Sequence, residues 1–224
     1  MTSCHATAQA LPLNNSSQIA LIGNPNVGKS VLFHRLTGHY VVVSNYPGTT
    51  VELSHGSIKA LQDVQVLDTP GIVSFPPRSD DEAVTAQVLL NEKLDAVVQV
   101  GDAKNIRRTL HLTVQLAEMG IPLVLALNMV DEAHARGLVV DSAALSEILS
   151  IPVVNTIATR GQGIPDLHEA LKQIPQPTYA ISYTPAIESA LMKLENLLPE
   201  CPITRRSLGL LWLGADQVSE QWLI

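Results

Sequence analysis

The chain has 224 residues, of which 46% are hydrophobic and 16% charged. That composition excludes a disordered polymer and can supply one full domain core plus a small appendage. A formal net charge of −7 argues against a nucleic-acid or anionic-membrane footprint. The two cysteines, Cys4 and Cys201, make neither a disulfide framework nor a metal-ligand pair, which points to a reducing compartment.

Residues 1–17 lack the basic start and apolar middle of a secretory signal and read as a flexible polar tail. The longest apolar runs, Leu123 to Leu127 and the glycine-interrupted Leu208 to Ala215, fall short of the roughly 18 residues a membrane span requires, so the chain as given reads as soluble. Strands are expected at Gln18–Ile22, Val51–Lys59, Val64–Leu67, Ala96–Val100, Leu123–Leu127 and Val153–Thr156. Most are dense in Val, Ile and Leu, as strands covered on both faces are. Val51–Lys59 is more polar and alternating, which places it towards an edge, paired with Val64–Leu67 across a turn at Lys59–Asp63.

Helix patterns lie between these runs. One opens at Lys29, and one carries Ile106, Leu110, Val114 and Ala117 on a face and stops at Gly120. A third repeats Ile164, Leu167, Leu171 and Ile174. The Pro175-Gln-Pro177 segment breaks helix and marks a boundary. Past it, Thr184 can cap a helix with Pro185 at its first position, and Arg205 to Leu213 is another helical piece. The alternation of strands and helices predicts an α/β fold with a mostly parallel six-stranded sheet over 18–177. A small helical unit over 178–224 is too short to bury a core alone.

Gly23-Asn24-Pro25-Asn26-Val27-Gly28-Lys29-Ser30 spells two glycines separated by four residues, then Lys and Ser, between a strand and a helix that continues with Val31. This is the P-loop pattern in its required context. The glycines let successive amides turn inward at phosphate oxygens, and the helix N-terminus favours an anion. Lys29 is expected to bridge β- and γ-phosphates and Ser30 to ligate magnesium. Asp68-Thr69-Pro70-Gly71 ends the third strand, where Asp68 can hold magnesium through a water and the Gly71 amide can meet the γ-phosphate. The loop Asn45 to Thr50, with Pro47 and Gly48, suits a segment ordered by magnesium and γ-phosphate; Thr50 is the expected ligand there and Thr49 its rival.

Asn128-Met129-Val130-Asp131 follows the fifth strand at the edge where open α/β sheets bind ligands. The Asp131 carboxylate can accept two hydrogens from guanine, which adenine does not offer. Asn128 can touch the base edge and tie this loop back to the P-loop. Ala158-Thr159-Arg160 follows the last strand and can offer a backbone amide to the guanine oxygen.

With these five pieces in order, the chain resembles the small GTPases of the TRAFAC class and, within them, the amino-terminal cytosolic G domain of the FeoB ferrous-iron transporter family. The residues that carry the likeness include Gly23 to Asn26, Asn45 to Gly48, Thr50-Val-Glu52, Asp102 to Asn105, Leu110 to Thr113, and Leu125 to Met129. Met129 stands where most guanine-binding domains have Lys, and this family similarly uses Met; Thr69 stands where the family more often has Leu. The resemblance implies a P-loop G-domain fold and a truncated helical unit like a GDP-dissociation inhibitor. It also implies a site at the cytoplasmic face of the bacterial inner membrane, with an attached polytopic Fe²⁺-transporting region outside this chain. It allows a homo-oligomer of the parent transporter and implies no nucleic-acid partner.

The implied activity is Mg²⁺-dependent hydrolysis of GTP to GDP, with Lys29, Asn26, Thr50 and Gly71 at the reacting phosphate. At the position after Gly71, where many GTPases use Gln to orient water, this chain has Ile72. Arg78 nearby reads as a solvated charge, so slow intrinsic turnover is expected. In related GTPases an Asn placed like Asn26 coordinates potassium beside the phosphates, which implies K⁺ stimulation. His111 and His168 read as surface or boundary residues. Two other readings stay open: a nucleotide-state sensor with incidental hydrolysis, and a soluble ribosome- or tRNA-associated GTPase, the latter opposed by Met129 and the acidic charge.

Overall fold

A computed structural model describes residues 13–14, 16–38 and 41–223. Most of the expected tail, Cys4 included, lies outside them. Seven strands form a single sheet in the order β2-β3-β4-β1-β5-β6-β7. The strands are β1 (Gln18–Gly23), β2 (Val42–Asn45), β3 (Glu52–Ile58), β4 (Val64–Asp68), β5 (Ala96–Asp102), β6 (Leu123–Asn128) and β7 (Val153–Asn155). The two pairings that involve β3 are antiparallel and the other four are parallel.

The sheet has one strand more than the six expected. β2 escaped the sequence reading because all four of its residues are exposed, so it shows no alternation of apolar and polar positions. It pairs with β3 as the sheet edge, which moves β3 one place inward.

The described residues form nine α-helices. They are α1 (Lys29–Thr37), α2 (Asp80–Asn91), α3 (Ile106–Glu118), α4 (Val130–Ala135), α5 (Ser142–Leu149), α6 (Ile164–Lys172), α7 (Pro185–Glu195), α8 (Arg205–Leu213) and α9 (Gln217–Leu223). None is long and apolar enough to cross a membrane. Successive side chains of β1 point to opposite faces. Ile19 and Leu21 join Leu32, Phe33, Leu167 and Leu171 under α1 and α6. Ala20 and Ile22 join Leu112, Leu116 and Val84 under α3 and α2.

The last three helices extend that second core rather than making one of their own: Leu198, Ile203, Leu208, Leu211 and Val218 pack into it. A polar clasp fixes the join. The Thr204 amide donates to the Met119 carbonyl at 2.9 Å and its hydroxyl to the Glu118 carbonyl at 2.8 Å. The buried Glu118 carboxylate accepts from the Ile181 amide at 3.1 Å and the Tyr183 hydroxyl at 2.9 Å.

Candidate functional site

β1 runs straight into the loop 24–28 and α1 starts at Lys29. Gly28, before the helix, has φ 85°, a region L side chains seldom occupy. A Cβ there would also lie 2.5 Å from Asn128 Nδ2. Glycine at this position therefore lets the P-loop touch the base-side loop.

The loop's side chains divide in use. Asn24 is 3% exposed and its amide nitrogen donates to the Ile72 carbonyl at 2.8 Å. The Ile72 amide returns a bond to the Gly23 carbonyl at 2.9 Å. The Asn24 side chain is thus committed to the backbone after Gly71. Asn26 is exposed, with φ 64°, and its carboxamide has no hydrogen-bond partner among the described residues.

The Lys29 ammonium contacts an Asp68 carboxylate oxygen and the Thr69 carbonyl. Ser30 Oγ donates to the other Asp68 oxygen at 3.1 Å. Asp68 sits at the end of β4, 8% exposed, so a cation, a hydroxyl and a carboxylate converge at the mouth of the loop. Gly71 approaches so closely that a Cβ there would meet Pro25 at 3.0 Å. The Thr69 side chain is committed elsewhere, donating to the Leu21 carbonyl at 2.9 Å, and the Pro70 carbonyl accepts from Thr85 Oγ1 at 3.0 Å. Ile72 is wholly buried in the core beside α2 and α3.

In the loop 46–51, Thr49 Oγ1 donates to the Tyr46 carbonyl at 3.0 Å and accepts from the Val51 amide at 3.2 Å. Thr50 is exposed, and among the described residues no hydrogen bond joins it to Ser30 or Asp68. Gly48 to Val51 instead border a cleft of about 450 Å³ against α2 and α9.

At the base side, Asn128 is 3% exposed. Its Nδ2 donates to the Val27 carbonyl at 2.9 Å. Its Oδ1 accepts from the Ala158 amide at 3.0 Å and from Thr156 Oγ1 at 3.2 Å. Within the segment Ala158-Thr159-Arg160, expected to offer an amide to the base, the Ala158 amide is directed at Asn128. Asp131 is partly exposed, with Arg160 Nη2 at 3.6 Å.

The supporting roles of three residues were not read from the sequence. Arg35 on α1 donates to the Ala158 and Thr159 carbonyls at 2.9 and 2.5 Å, pinning the last loop to the helix that follows the P-loop. Glu82 accepts from the Val73 and Arg78 amides at 3.0 and 2.7 Å. Gln115 brackets Phe75, accepting from its amide at 3.0 Å and donating to its carbonyl at 2.8 Å. Only Glu82 had a readable signal: Ser79-Asp-Asp-Glu82 has the capping-box pattern. Ser79 Oγ accepts from the Glu82 amide at 3.3 Å, while the Glu82 carboxylate reaches the Arg78 amide one residue before the cap.

A strand, a glycine-bearing loop and a helix with Lys and Ser at its start, set in this sheet order, define an α/β P-loop domain of the G-domain class. The chain belongs to the family described as ferrous iron transport protein B, whose amino-terminal domain it matches over residues 17–171. It is similar to the Fe(2+) transport protein A/Fe(2+) transporter FeoB fusion protein of Porphyromonas gingivalis, 40% identical over 199 residues. That match covers 84% of this chain and 24% of the relative. It is also similar to the Fe(2+) transporter FeoB of Salmonella typhimurium, 38% identical over 216 residues, covering 91% of this chain and 28% of the relative. The chain thus spans about a quarter of the length of these transporters.

Among solved structures it is similar to a GDP-bound NFeoB mutant of S. thermophilus, with 34% identity and TM-score 0.83 over 92% of this chain and 83% of that one. The cytosolic domain of T. maritima FeoB in its GMPPNP form gives 33% identity and TM-score 0.82 over 92% and 84%.

Proposed function

We propose that this chain binds guanine nucleotide with Mg²⁺ and hydrolyses GTP slowly, as the nucleotide-operated part of a ferrous-iron transporter at the cytoplasmic face of the membrane. The observation that carries the reading is the convergence of Lys29, Ser30 and Asp68 at the P-loop mouth, with Asn128 fastening the base-side loop to Val27. The GDP and GMPPNP named for the S. thermophilus and T. maritima relatives support the same choice of ligand.

The donor set fits such a ligand: a hydroxyl and a carboxylate 3.1 Å apart are the oxygen donors a hard divalent cation takes, and the ammonium beside them suits phosphate oxygens. Bound there, Mg²⁺ would supply positive charge to offset the negative charge that develops on the phosphate oxygens. Ser30 and Thr50 are assigned as its direct ligands and Asp68 as a partner through water. Thr50, which borders the cleft beside α2, would join Ser30 and Asp68 through a rearrangement of the loop 46–51. Lys29 holds the β- and γ-phosphates, the amides of residues 24–28 line the cradle, and Gly71 offers its amide to the γ-phosphate.

Ile72, buried, cannot orient water, and Arg78 is exposed. Their positions support slow intrinsic turnover. The free carboxamide of Asn26 supports a K⁺ ligand at the phosphates. Asp131 reads the base, and Arg160 must yield its place beside that carboxylate.

Titration of the chain with GTP and ATP analogues, alongside Asp131→Asn, tests the reading. Exchanging a charged acceptor for an amide should weaken GTP binding about ten- to a hundredfold while leaving weak ATP binding unchanged. Equal affinity for the two nucleotides, with an inert Asp131→Asn, would overturn it.

A further inference from the structure

Lys104 lies in the short turn Ala103–Asn105 after β5, within the stretch that carries the family likeness but with no site role given to it above. Its side chain is 12% exposed, and the turn that carries it is set by Asp102, whose Oδ1 accepts from the Lys104 amide at 2.9 Å. Its ammonium donates to Glu132 Oε2 at 2.6 Å and meets Met129 Sδ at 3.1 Å. It also lies 3.8 Å from Asp102 Oδ1.

These partners belong to two neighbouring strand ends. Asp102 and Asn128 are register partners at the ends of β5 and β6, and Met129 and Glu132 flank Asp131 in sequence. The other end of the contact is the phosphate loop, because Met129 Cε lies 3.6 Å from where a Cβ on Gly28 would stand. Met129 itself is held at φ 61°, a conformation that costs a non-glycine residue free energy unless its surroundings impose it.

We infer that Lys104 is a positioning and specificity-determining residue of the base pocket. It fixes the loop that carries Asp131 from the side of the neighbouring strand, and it occupies Glu132. Asp131 and Glu132 are adjacent carboxylates on the first turn of α4. The Lys104–Glu132 pair ties the first turn of α4, which carries Asp131, to the neighbouring strand end. With that pair broken, the turn loses its tie and the strained residue at 129 loses its brace.

The inference rests on the proposed reading of guanine by Asp131, and its test separates the two. GDP and IDP are compared, since hypoxanthine keeps N1–H but lacks the 2-amino group, so their affinity ratio reports how well the carboxylate is placed. Lys104→Met should weaken GDP binding about fivefold or more through faster release, and should shrink the GDP-to-IDP ratio. Lys104→Arg should restore part of that ratio. Glu132→Gln, which alters a half-exposed side chain, should shrink it too and serves if Lys104→Met folds poorly.

A lowered melting temperature with GDP release and the ratio unchanged would overturn the inference. A ratio that collapses in Asp131→Asn but not in Lys104→Met or Glu132→Gln overturns the Lys104 role alone. A ratio that survives Asp131→Asn overturns the base reading and this inference with it.

Discussion

Asn24 and Asn26 sit two residues apart in one loop and do opposite work. The first spends its carboxamide on the backbone after Gly71, whereas the second points into solvent with its donor and acceptor free among the described residues. If Asn26 holds a monovalent cation beside the phosphates, turnover in KCl should exceed that in NaCl about tenfold or more, below the 10³–10⁵ typical of an arginine finger. Asn26→Ala should bring the two rates together, and steady-state phosphate release measures both. Equal rates in the wild-type chain would sink the potassium role. The same contrast explains what could be read at this scale. Backbone-dictated positions such as Gly28, Lys29 and Ser30 announce themselves by type and spacing. Which of two like side chains braces the fold, Asn24 or Asn26, Thr49 or Thr50, depends on carbonyls supplied by distant segments.

Among the elements, α2 is the instructive omission. Its apolar positions are buried nearly all round, so no polar stripe marks it as an amphipathic helix, although its capping-box pattern was there to find. The segment 72–78 before it has no ladder of its own and is held by side chains: Glu82 at Val73 and Arg78, and Gln115 at Phe75. Gln115→Ala should remove both bonds to Phe75, each worth about 1 kcal/mol. Hydrogen exchange of the amides from Val73 to Arg78 should quicken correspondingly while β1 and β5 keep their protection. Unchanged exchange across this segment would show that Gln115 is not its anchor. The parallel strands were legible because Val, Ile and Leu fill positions covered on both faces. β2 was not, because among the described residues nothing covers it.

For the molecule as a whole, charge ties the C-terminal helices to one another, and Tyr183 links that cluster to Glu118 of the α/β body. Arg206 donates twice to Glu188 at 2.8 Å, and the Tyr183 amide adds a third bond to that carboxylate at 2.8 Å. These bonds hold the Glu188 carboxyl down to about 2. Burial, and next the bond to Glu118, push the Tyr183 hydroxyl up to about 12. A depressed carboxyl contributes stability that is complete above its ordinary value and is lost as pH falls from about 4.5 to about 2. A raised phenol contributes stability that is complete below about 10 and is lost as pH rises towards about 12. Both tryptophans, Trp212 and Trp222, lie in α8 and α9, so intrinsic fluorescence should report loosening in those two windows. Glu188→Gln should flatten the acid limb and Tyr183→Phe the alkaline one. Coincident, unaltered transitions in both variants would remove the clasp from the account.

The embrace of Lys29 by Asp68 and the Thr69 carbonyl bears on which anions the protein can admit. A stray sulfate or orthophosphate would have to compete with those oxygens, and would give Asp68 nothing in return for the ammonium it takes. On the proposed reading, a polyphosphate escorted by a divalent metal would offer the carboxylate a replacement cation as it draws the lysine away, leaving neither charge stranded. Exchange of counterions would then screen visitors by what they bring with them as well as by the charge they carry.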